Sequence, residues 1–157
     1  MKSGTILSNV DIKFIRHILK IPLVGVFSKD KLIKKKQKGL FVINLDDYAN
    51  GGTHWTIMST LDDNVCYYDS YGANPPVSVD NYIKWVTGKK TYFINQIQVQ
   101  SLNSTYCGWF CVCVLYIILN KKGSIRKKID VFNDHFNSED LNDNYQKLLV
   151  FFQKVIK

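Results

Sequence analysis

The chain has 157 residues, 46% hydrophobic and 13% aromatic, which is enough to bury a core and excludes a globally disordered protein. Its formal net charge of +8 implies either a solvated basic surface or a polyanionic partner. The first residues do not read as a signal peptide, and the longest apolar run is too short and too interrupted to span a bilayer. A single domain over residues 1–157 is therefore expected, soluble, without a membrane partner, and made in a reducing compartment.

Ser8 can cap a helix from Asn9 to about Lys20, with Asp11 at its third position and Ile12, Ile15 and Leu19 on one face. Pro22 stops it, and the lysine-rich stretch that follows reads as an exposed loop or short helix ending at Gly39. Leu40 to Leu45 suits a central strand, and Asp46 to Gly52 a polar loop with paired glycines. His54 to Leu61 and Asn64 to Asp69 read as two strands joined at Asp62-Asp63. A two-residue turn there pairs Leu61 with Asn64 and, counting back, Thr56 with Asp69. Side chains alternate along a strand, so His54, Thr56 and Asp69 share a face and His54 and Asp69 become diagonal neighbours. A three-residue turn would part them.

Pro75-Pro76 closes the next loop, and Ser78 can cap a short helix through Trp85 and Val86, ended near Gly88. Thr91 to Gln100 alternates, with Phe93, Ile97 and Val99 opposed to Gln96, Gln98 and Gln100, which predicts a half-buried strand. From Cys107 to about Lys122 the pattern is apolar all round, as in a helix buried within the domain, with Gly123 at its exit. Ile125, Ile129, Phe132 and Phe136 recur at helical spacing. A last helix from about Ser138 would bury Leu141, Tyr145, Leu148, Phe152 and Val155. Helix, strands, buried helix and terminal helices together predict an α+β domain.

Cys66, Cys107, Cys111 and Cys113 do not form a disulfide framework, and no paired spacing suits zinc; Cys111 and Cys113 read as small buried apolar groups. The basic excess lies in Lys29 to Lys38 and in Lys121, Lys122, Arg126, Lys127 and Lys128. It is either a solvated surface or a site for a polyanion such as DNA, as a non-specific activator; no other cofactor is required.

The stretch Gln100-Ser101-Leu102-Asn103-Ser104-Thr105-Tyr106-Cys107-Gly108-Trp109-Phe110-Cys111 carries the chemistry. A polar loop delivers a cysteine to the start of a buried helix, where unpaired N–H groups and the dipole favour thiolate. Cys107, partly exposed, would be the nucleophile, His54 its base, and Asp69 the group that orients His54. Gln100 and the Cys107 backbone N–H would stabilise an oxyanion, and Gly108 would leave space for a substrate backbone. Taken singly, each residue has an ordinary structural explanation; four together are hard to reach by accident. His17 and His135 compete as bases, but both sit in helical patterns.

Three motifs, Gly52-Thr53-His54-Trp55, Tyr67-Tyr68-Asp69-Ser70-Tyr71-Gly72 and Gln100-x-x-Asn103-Ser104-x-x-Cys107-Gly108-x-Phe110-Cys111, resemble those of the adenovirus-type cysteine endopeptidases, and more distantly of the SUMO-specific proteases. The resemblance covers about residues 52 to 120. It implies a mixed sheet packed around a buried central helix that carries the nucleophilic cysteine at its N-terminus. It implies His54, Asp69, Gln100 and Cys107 as the catalytic residues of a monomeric thiol protease. The substrate implied is a viral capsid or other structural precursor, cut after glycine during virion maturation. A virophage or related DNA-virus parasite is the implied source, and the virion, host cytoplasm or viral factory the place of action. Two features depart from the adenoviral pattern. Asp69 stands where glutamate is usual, and no cysteine between Cys66 and Cys107 could tether an activating peptide. The rival expectations are a ubiquitin-like protein deconjugase and a non-catalytic basic virion or nucleic-acid-binding protein.

Overall fold

At Pro22 the first helix gives way to the sheet. The computed structural model of the chain describes residues 6–47 and 54–155. Helix α1 (Asn9–Ile18) starts at a capping box: Ser8 Oγ accepts the Asp11 N–H at 3.2 Å, and the Asp11 carboxylate accepts the Ser8 N–H at 2.8 Å. Residues 23–28, expected to lead into a loop or short helix, form strand β1 (Leu23–Ser28) instead. Its alternation is obscured in the sequence because the register slips between Leu23 and Gly25. A side chain at Gly25 would collide with the Phe27 ring, at 2.7 Å.

Strand β1 runs parallel to β2 (Leu40–Asn44), which is buried throughout. Antiparallel strands β3 (Trp55–Ser59) and β4 (Cys66–Tyr68) follow, and β5 (Phe93–Ile94) closes the sheet parallel to β4. The strand order is β1-β2-β3-β4-β5. Among the described residues the chain is thus an α+β protein with a five-stranded mixed sheet and five helices.

Helix α2 (Val77–Thr87) covers one face, against Phe41, Ile43, Met58 and Tyr67. It begins after Pro76, one residue before the expected Ser78 cap, and ends at Gly88, whose φ of 68° suits glycine. Helix α3 (Cys107–Asn120) lies on the other face, against Val42, Trp55, Ile57 and Tyr68. Helices α1, α4 (Ile125–Asn133) and α5 (Asn144–Val155) cover its far side, which explains an apolar pattern on every side of α3.

Two elements are shorter than expected. Only Phe93 and Ile94 of the 91–100 stretch pair with the sheet. The Asn95 side chain takes over there, donating to the carbonyls of Asp69 and Ile97 and accepting from Asn133 Nδ2 and the Ile97 N–H. Such local side-chain bonds give the backbone an alternative to the ladder. The last helix starts at Asn144 rather than near Ser138, because the Asn144 amide binds the N–H and carbonyl of Asn137 and the Val99 carbonyl. No helix among the described residues is long and apolar enough to cross a membrane.

Candidate active site

The β3–β4 turn has the two-residue form: the Asn64 N–H donates to the Leu61 carbonyl at 2.9 Å. The ladder pairs Ile57 with Tyr68, Met58 with Tyr67 and Ser59 with Cys66. Continued by three residues, this register sets Thr56 opposite Asp69 and His54 opposite Tyr71. The His54 and Tyr71 rings stack at 4.1 Å and 8°, and His54 Nε2 lies 2.7 Å from Asp69 Oδ1 on the diagonal. Asp69 Oδ1 also accepts the Tyr71 N–H at 2.8 Å, so the carboxylate is fixed by the turn it belongs to. Gly72 lets this turn lie against the 96–97 backbone: its φ is 73°, and a Cβ there would come within 2.9 Å of the Gln96 and Ile97 main chain.

Cys107 is the first residue of α3. No side chain caps that end, and the N–H groups of Trp109 and Phe110 both turn back to the Tyr106 carbonyl. Among the described residues, the N–H groups of Cys107 and Gly108 have no backbone acceptor. The Cys107 sulfur accepts the Trp55 N–H at 3.4 Å. With Nε2 committed to Asp69, the other nitrogen of His54 is the one left for the sulfur; it makes no hydrogen bond of ordinary geometry, yet the imidazole is close enough to Cys107 to be stabilised by it. Burial works against a charged imidazole, but hydrogen bonds and charge from Asp69 and Cys107 outweigh it and raise His54 to about 9. The arrangement favours imidazolium beside sulfur, with a buried carboxylate behind it.

Gln100, 1% exposed, joins this group through Ser70, whose hydroxyl donates to Gln100 Oε1. Its Nε2 donates to the Ser104 carbonyl at 3.2 Å. A carbonyl can only accept, so the amide orientation is fixed and one N–H of Nε2 remains to be given. The Gln100 backbone N–H also binds the Ser70 carbonyl, at 3.1 Å. Sequence reasoning assigned no role to Ser70, Tyr71 or the Trp55 N–H. The hairpin register, which places Tyr71 opposite His54, is the one signal that could have found any of them.

Three expectations need correction. Cys107 is 3% exposed rather than partly open, and the room beside Gly108 is filled by Leu7, whose Cβ would stand 2.9 Å from a Cβ at that position. Leu7 belongs to the segment entering α1, tied down by a 2.8 Å bond from the Trp55 indole to the Leu7 carbonyl. Lys128, counted in a basic run, is 8% exposed and committed to Asn64 Oδ1 and the Ile118 carbonyl. Gly52, Thr53 and most of the expected 46–52 loop lie outside the described residues.

The remaining candidates fall elsewhere. His17 is exposed on α1, and His135 is exposed with Nδ1 against the Val131 carbonyl and its ring against Phe151. Cys66, Cys111 and Cys113 are buried; burial pushes Cys66 up to about 12 and the other two well above the ordinary thiol range. Those thiols are chemically quiet. Compared with protein-family models and with curated proteins, the sequence matches no family model and no curated protein.

Proposed function

We propose that the chain is a cysteine endopeptidase in which Cys107 is the nucleophile, His54 the base and acid, and Asp69 the group orienting His54. Gln100 Nε2 and the Cys107 backbone N–H are the oxyanion donors. The observation that carries this reading is the 2.7 Å His54–Asp69 bond beside a thiol at the uncapped start of α3. The thiolate adds to the scissile carbonyl carbon, and the displaced electron pair rests on oxygen. Collapse breaks the C–N bond, and the departing amine takes its proton from the His54 imidazolium. His54, now neutral, takes a proton from water as the water oxygen attacks the thioester. The acid is released and the thiolate–imidazolium pair restored.

A mixed sheet with α3 set between it and the terminal helices supports a relation to the adenovirus-type endopeptidases, as does the Gln100 to Cys111 motif. On that relation the substrate is a viral structural precursor cut after glycine. The enzyme works as a monomer in the virion or in the host cytoplasm or viral factory. Exposed Lys34, Lys35 and Lys36 offer charge to DNA as a non-specific activator. The test is incubation with candidate capsid precursors, with and without DNA, and mapping of the new termini. New termini after glycine, absent with Cys107→Ala, are expected; cleavage that survives Cys107→Ala overturns the assignment.

A further inference from the structure

Helix α3 carries Cys107 at its first residue; its other end, about 20 Å away along the axis, forms one wall of a cleft of about 570 Å³. Helix α5 forms the opposite wall, with His135, just beyond α4, beside it. The apolar surface of the cleft comes from Tyr116 on α3 and from Val150, Phe151 and Val155 on α5. Phe151 is fixed edge-on to Phe132 at 5.3 Å and to His135 at 5.7 Å. Val150 is 52% exposed, an aliphatic side chain left to solvent.

Lys121, Lys147 and Lys154 also line the cleft, and no acidic residue does. Lys147 and Lys154 stand two turns apart on α5, roughly 10 Å along its axis, with Val150 and Phe151 between them. Lys121 adds a third charge from the end of α3. Asp143 lies 3.6 Å from Lys147, but both side chains are exposed and such a pair holds the lysine weakly. Gln146 is neutral, and His135 turns Nδ1 to the Val131 carbonyl, so neither offsets the positive charge.

We propose that this cleft docks an acidic amphipathic helix of another protein. Carboxylates at its positions i and i+7 meet Lys147 and Lys154, and apolar side chains at i+3 and i+4 lie against Tyr116, Val150 and Phe151. The lysines set the sign of the partner, and the walls set its form. Both main walls are helices, whose backbone groups are paired internally and offer no strand edge. An extended segment would lie there with its own backbone groups unpaired, whereas a helix arrives with them satisfied. The apolar centre offers nothing to the phosphates of a nucleic acid, and the concave shape nothing to a flat bilayer. The inference does not rest on the peptidase reading, since the docked helix lies at the opposite end of α3 from Cys107.

The test is an amide chemical-shift titration of the full chain with the peptide acetyl-Ala-Gln-Ala-Glu-Ala-Ala-Leu-Phe-Ala-Ala-Glu-Ala-Gln-Ala-amide. Saturable binding is expected, with shifts confined to α5, the end of α3 and the residues after α4. Replacing both peptide glutamates by glutamine should weaken binding about three- to tenfold, and Lys154→Glu in the protein by about as much. Val150→Asp should weaken it about tenfold by setting a charge against the apolar contact. A proline in place of the alanine that follows phenylalanine breaks the peptide helix and should abolish saturable binding. Should either protein variant fail to fold, the two altered peptides carry the test on the unaltered chain. No saturable binding, equal affinity for the proline peptide, or affinity unchanged by the glutamine peptide overturns the proposal. So does preference of these residues for short duplex DNA over the peptide, or self-association of the chain through them.

Discussion

His54 and Asp69 are held by the β3–β4 hairpin, whose ladder fixes which residues face each other. Gln100 lies on a stretch that leaves the sheet after Ile94; the Val99 and Gln100 N–H groups bond the Ser70 carbonyl, and the rest of its support comes from side chains, Ser70 on its amide oxygen and Asn95 and Asn144 on the segment leading to it. Backbone pairing is cooperative and indifferent to most single side chains; a segment stitched by asparagines depends on each one. The base and its orienter should therefore be robust to changes around them, and the oxyanion donor sensitive. Cys107 stands between, fixed by a helix but touched by the hairpin through the Trp55 N–H.

The largest effect should come from the point common to both halves. Cys107→Ala is expected to abolish turnover while leaving the thermal midpoint near that of the wild type, measured by peptide cleavage and circular dichroism; a residual rate close to wild type would refute the nucleophile. Next comes the stitched half. Gln100→Ala should lower kcat by about 100- to 1,000-fold, the cost of one oxyanion donor. Ser70→Ala, which keeps Gln100 but frees its oxygen, should cost about tenfold in kcat with KM unmoved, because Ser70 only positions the donor. Equal losses in the two variants would mean that Ser70, not Gln100, supplies the contact.

The hairpin half is read through pH. His54 stands at about 9, above its ordinary 6.5, because Asp69 and Cys107 outweigh the burial that opposes its charge. Folding therefore favours the protonated ring, a contribution fully present below about 6.5 and lost as pH rises through about 9. Activity should fall on the alkaline side near pH 9, and Asp69→Asn should bring that limb down by about one unit or more. A limb that stays in place in Asp69→Asn would show that the carboxylate does not set the charge of His54.

The same contrast decides what could be seen in the chain beforehand. The hairpin was legible because two apolar strands flank Asp62-Asp63, and counting from a two-residue turn, the form the structure has, reaches the His54–Asp69 diagonal. Helix α3 was legible because its burial on every side leaves an uninterrupted apolar run. The 95–106 stretch was not. Its alternation of Gln96, Gln98 and Gln100 with apolar residues mimics a strand, and the asparagines that hold it irregular are themselves held by partners up to 45 residues away. Strand β1 was missed because a slip at Gly25 breaks the period that would have shown it. The filled space beside Gly108 was missed because Leu7 reaches it from the other end of the chain.

The smallest predicted effect probes the stitching itself. Asn144 is fully buried and donates to the carbonyls of Val99 and Asn137 at 2.9 and 2.7 Å, while its oxygen accepts the Asn137 N–H at 2.6 Å. Asn144→Ala strands those groups without partners, at about 1 to 3 kcal/mol, which lowers the thermal midpoint by about 2 to 12 °C. Because Val99 adjoins Gln100, the loss should also reach kcat, by a few-fold, without moving the pH limb that belongs to the hairpin. A drop in midpoint with kcat unchanged would mean that Ser70 alone suffices to hold the donor, and that the asparagines serve the fold rather than the site.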